Sequence, residues 1–156
     1  LFGYRLQGLL VASNRELAGL SLLDTDGRPD VVFHAGLLPA DLEVDKLQET
    51  EPAYTSPYCL SSGEPFSRMW RCPQSGLYYF RFVEGFAFVV DSVGETIWAQ
   101  WSEPVTIEDI TAFLVGRILA FVLHLRGHAC LHASAVAVNG GAVLFAGDPG
   151  MGKSST

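Results

Sequence analysis

The sequence predicts an α+β chain. A β-rich region spans residues 1–104, a connecting helix spans 105–126, and a second unit opens at 127 with a hairpin and a glycine-rich loop. Three observations carry this expectation. The stretch Phe66–Trp101 is dense in aromatic and β-branched residues and is punctuated by turn formers. Ile107–Leu125 repeats apolar residues at helical spacing. Asn139-Gly140-Gly141 separates two short apolar runs, and the second run enters Gly147-Asp-Pro-Gly-Met-Gly-Lys-Ser154.

Taken in order, Tyr4–Ala12 is a short apolar run suited to a strand, and Asp24-Thr-Asp-Gly27 is a turn signal between Leu20–Leu23 and Val31-Val32-Phe33. Residues 39–65 hold four prolines and many polar residues, which predicts loop with one short helix near Asp41–Leu47. The aromatic stretch then predicts a four-stranded meander over 66–72, 77–83, 86–91 and 95–101, broken at Pro73–Gly76, Glu84-Gly85 and Asp91–Gly94. Thr106 and Asp109 have the spacing of a capping box ahead of the helix. Ile107, Ile110, Phe113/Leu114, Phe121/Val122 and Leu125 form its apolar positions, and Arg126-Gly127 is a stop signal. Apolar residues almost all round predict a helix covered on more than one side. Its longest uninterrupted apolar runs, Ala112–Val115 and Ile118–Leu123, fall far short of the roughly 20 residues that cross a bilayer, so no membrane association is expected.

Composition narrows the function classes. The 156 residues suit one domain, or one and a fragment, and carry 10 Lys+Arg against 17 Asp+Glu for a net charge of −7. Only two are lysines, Lys46 and Lys153. Such a chain lacks the basic face that general nucleic-acid binding requires. Three cysteines, Cys59, Cys72 and Cys130, without C-x-x-C spacing argue against a disulfide framework or a four-thiolate zinc site. With no cationic leader at the start, they fit a reducing, cytoplasmic setting.

Gly147-x4-Gly152-Lys153-Ser154 has the form G-x-x-x-x-G-K-[ST], the Walker A or P-loop pattern. Each residue type has a reason. Glycines at 147, 150 and 152 let the backbone approach a phosphate with no Cβ in the way. The N–H groups of Gly147, Asp148, Pro149's neighbours, Gly150, Met151 and Gly152 then form an anion nest, extended by the first helical amides near Lys153, Ser154 and Ser155. Lys153 supplies a full charge to the β- and γ-phosphates of ATP, and the Ser154 hydroxyl suits Mg2+.

Residues 126–156, with His132 fifteen residues ahead of Gly147, resemble the start of the kinase domain in HPr kinase/phosphorylase-related proteins. The resemblance implies the first hairpin and P-loop of an α/β kinase core akin to ATP-type phosphoenolpyruvate carboxykinase, truncated after the loop. It implies transfer of the ATP γ-phosphoryl to a hydroxyl, with His132 and Lys153 in catalytic roles, and it is compatible with a homo-oligomer. True HPr kinases carry an acidic residue after the motif serine, where this chain has Ser155. The acceptor therefore stays open among a serine of a protein or peptide and a small molecule. A chain ending at Thr156 lacks a Walker-B acid and is expected to be inactive alone.

Other readings compete. A transporter-type ATPase or a non-catalytic nucleotide-sensing module would use the same loop. His132 also suits a hydrogen-bonded core position, and Asp148 a solvent-facing one. His124, His128 and His132 have metal-ligand spacing on one helix, which Gly127 interrupts. Cys130 suits an inert thiol, Asp24 and Asp26 a turn, Tyr78–Phe80 sheet core, and Arg68 with Arg71 either an anion site or a strand surface.

Overall fold

The computed structural model describes residues 1–24, 27–131 and 133–147. The strand-rich sequence forms β1 (Phe2–Leu6), β2 (Leu9–Ser13), β3 (Val31–Ala35), β4 (Tyr54–Thr55), β5 (Ser67–Arg71), β6 (Tyr78–Phe82), β7 (Phe86–Val90) and β8 (Thr96–Trp101). They make one mixed sheet in the order β1-β2-β3-β8-β7-β6-β5-β4, parallel at β2–β3 and β3–β8 and antiparallel elsewhere. The meander β5–β8 sits where the aromatic stretch places it, because aromatic and β-branched side chains fit a pleated surface covered on both sides. The run Leu20–Leu23 is not a strand. It leaves the sheet, and Leu23 N–H donates to the Gly3 carbonyl at 2.9 Å, closing part of the β1 edge.

A single helical rod covers one face: α2 (Ile107–Phe113), a π-helical stretch (Leu114–Ile118) and α3 (Leu119–Leu125). The Thr106–Asp109 capping box starts it, and hydrogen bonds from Thr106 backbone and side chain hold the Asp109 carboxyl below its ordinary range. Ile110, Leu114, Ile118 and Val122, each four residues apart, are all buried. In a strict α-helix that row would wind by about 40° per step. The wider π turn takes up part of this drift and keeps the row on the sheet. Phe113 meets Phe66, Phe82 and Phe86 at ring distances of 6.1, 5.0 and 4.6 Å, and Phe121 meets Tyr78 and Phe80 at 5.0 and 4.9 Å.

The other face is partly covered by α1 (Val44–Gln48), whose Leu47 joins Trp70, Leu77, Tyr79, Ala87 and Val89. Every residue of β7 is therefore buried: Phe86, Phe88 and Val90 under the rod, Ala87 and Val89 on the α1 side.

The α+β expectation, with the opening of an α/β kinase core, is corrected here. The described residues form a mostly β protein with an eight-stranded mixed sheet and one real helix. An α/β core is built of parallel strands joined by crossover helices. The parallel pairs here belong to the N-terminal sheet, and the last two strands, β9 (Ala133–Val138) and β10 (Gly141–Ala146), form a separate antiparallel ribbon.

The rod's end is tied down by Arg126, whose guanidinium donates to the carbonyls of Asp30 and Gly94, both at 2.8 Å. Gly94 lies in the β7–β8 turn at φ 74°, and a Cβ there would stand 2.9 Å from Val122 Cγ1. Gly94→Ala meets both an unfavourable backbone and a crowded rod, so it is expected to lower stability by roughly 1–3 kcal/mol. Urea denaturation of the variant checks this; an unchanged midpoint would contradict it.

Candidate functional site

The phosphate-loop motif is reached through the β9–β10 hairpin. Asn139 and Gly140, at φ 49° and 79°, form the tight turn that the Asn-Gly pair favours, since both central residues need positive φ. Val143 pairs with Val136 and Ala146 with Ala133, so β10 runs its whole length against β9 and hands the chain to Gly147. Of the predicted site residues, Gly147 is described, immediately after β10. His132, Asp148, Pro149, Gly150, Met151, Gly152, Lys153, Ser154 and Ser155 lie outside the described residues.

The ribbon is unusual in its surface. One face carries Val136, Val138, Val143 and Phe145, and the other carries Leu144 among alanines. Val136, Val138, Val143, Leu144 and Phe145 are all exposed, and none joins either core cluster. Strands apolar on both faces have the composition of strands covered on both. Ser134 Oγ, on the Val136 face opposite Phe145, is buried without a hydrogen-bond partner among the described residues.

The remaining candidates separate. Cys130 is exposed, and its thiol donates to the Ala120 carbonyl at 3.5 Å. Among the described residues no three His, Cys, Asp or Glu side chains converge as a metal site; the trio His124, His128 and His132 includes a residue outside the described ones. Asp24 is exposed, and Asp26 lies outside the described residues. Tyr78 and Phe80 face the rod as sheet core. Arg68 and Arg71, three apart on β5, fall on opposite faces; Arg71 lies over the Tyr78 ring at 5.8 Å.

Compared with protein-family models, with curated proteins and with solved structures, the chain matches none. Among the described residues no helix is long and apolar enough to cross a membrane.

Because the ribbon stands outside both cores, Val143→Lys with Leu144→Lys is expected to leave the unfolding midpoint of the sheet within about 2 °C. A thermal melt checks it. A drop of about 5 °C or more would show that the ribbon contributes to the main core.

Proposed function

We propose that the chain grips the phosphates of ATP through Gly147–Ser154 and serves an ATP-dependent kinase that transfers the γ-phosphoryl to a hydroxyl. The observation that supports this reading most is the ordered strand β10, which ends at Ala146 and delivers the chain into the motif at Gly147. A phosphate loop is entered from a strand, after which its amides turn inward on one anion. The resemblance of residues 126–156 to HPr kinase-related proteins adds the reaction class.

The residue chemistry fits the ligand. Glycines at 147, 150 and 152 allow close approach of backbone N–H groups to phosphate oxygens. Lys153 supplies an ammonium charge that opposes the β/γ charge. The Ser154 hydroxyl is a hard oxygen donor suited to Mg2+, which when bound would offset charge on the transferred group. His132 is an acid–base group for the acceptor hydroxyl. The acceptor belongs to the class of hydroxyl-bearing proteins, peptides or small molecules.

Titration of the chain with Mg-ATP tests the reading. Lys153→Ala is expected to weaken binding by about tenfold or more, as loss of a charge-assisted contact does. Lys46→Ala, which removes the other lysine and the same net charge, is expected to leave affinity within about twofold. Equal behaviour of the two variants would overturn it.

A further inference from the structure

β5 and β6 place Arg68 directly opposite Arg81. Like charges in that position destabilise a strand pair. Among the described residues neither guanidinium has a carboxylate within ion-pair distance, and the one ion pair is Lys46–Glu43. Two unneutralised arginines side by side on a chain of net charge −7 call for an explanation.

Their surroundings supply one. Arg81 borders a cleft of about 380 Å³ on the α1 side of the sheet, with Tyr79, Ala87, Gln100, Trp101 and Ser102 among its walls. Ala87 makes a shallow floor where a larger residue would fill the space. Among the described residues no aspartate or glutamate lines this cleft, although the chain has 17 of them. A narrow neighbouring cleft joins Arg81 to Arg68, with Glu64 at its side but not ion-paired to either arginine.

The donors are held in place. The Gln48 side chain at the end of α1 bridges two of them: its Nε2 donates to the Tyr79 hydroxyl at 3.0 Å, and its Oε1 accepts from Arg81 Nη1 at 3.4 Å. The Tyr79 oxygen is thereby used as an acceptor, and its own proton is left to donate. Burial is the main cause that pushes the Tyr79 phenol above its ordinary range, with Asp45 adding to it and Gln48 and Arg81 opposing, so that proton is retained at neutral pH. Most of the Arg81 fork is likewise unspent.

We propose that this cleft binds a small oxyanion group of a ligand, phosphoryl or carboxylate, with Arg81 as the main anchor, Arg68 as second cation, and Tyr79, Gln100 and Ser102 as neutral donors. A planar guanidinium beside neutral donors is the arrangement that recognises either oxyanion. The lining residues of the cleft lie on β6, β7, β8 and the turns at their ends, and the proposal does not depend on the phosphate loop.

The test uses the chain carrying Lys153→Ala, so that the loop cannot account for the signal. Inorganic phosphate and succinate are titrated separately, followed by intrinsic tryptophan fluorescence and by the rise in unfolding midpoint. At least one is expected to saturate, and the one that binds names the group. Arg81→Gln is expected to weaken it about tenfold and Arg68→Gln about threefold. Both are expected to leave the anion-free midpoint unchanged or higher, since each relieves a like-charge pair. Saturation by neither anion below about 10 mM, or affinity untouched by both substitutions, would overturn the proposal.

Discussion

The structure depends on covering the aromatic face of a wide sheet with one helix. Phe66, Phe82, Phe86 and Phe88 form a continuous ring surface on β6, β7 and the approach to β5, and Phe113 meets Phe82 and Phe86 edge-on and stacks on Phe66. Aromatic rings bury large apolar areas, and edge-to-face geometry adds to what that burial contributes. The rod could not otherwise follow so long a path. Its π turn keeps Ile110, Leu114, Ile118 and Val122 in line on the sheet, and Arg126 fastens its end to the carbonyls of Asp30 and Gly94.

That constraint divides the molecule. Everything up to Arg126 is organised by the sheet, and the chain leaves it at Gly127, φ 80°, just beyond the anchored end of the rod. His128 N–H still bonds back to Leu123, and Cys130 to Ala120. The β9–β10 ribbon beyond them carries the phosphate-loop motif on a base that the main core does not cover. The oxyanion cleft belongs to the opposite side of the division, on the α1 face, and would place a second anion-binding function on the N-terminal sheet.

Local signals were read well where local physics decides. The meander β5–β8, the Thr106–Asp109 capping box and the Asn139-Gly140 turn rest on side-chain periodicity, a cap and a positive φ, all short-range. The sheet order was not legible. Parallel pairing of β2 with β3 and β3 with β8 joins strands far apart in sequence, and no local pattern encodes it. The α/β expectation rests on the resemblance of residues 126–156, whereas the described strands leave this hairpin a separate antiparallel ribbon. Arg68 and Arg71 are close in sequence, yet a strand's two-residue period sends them to opposite faces and leaves Arg81, thirteen residues away on β6, as the neighbour of Arg68. The Gln48–Tyr79–Arg81 bridge spans over thirty residues of sequence and has no sequence signal of its own.

The sheet and its rod form one cooperative unit, and the motif-bearing ribbon lies outside it. Native-state hydrogen exchange tests this directly, because amides that open together exchange with a common free energy. The account predicts that β6, β7, β8 and residues 110–122 share the highest protection, while the amides of β9 and β10 exchange orders of magnitude faster, since a lone two-stranded ribbon is marginally stable. Protection of β9 and β10 equal to that of β7 would contradict it.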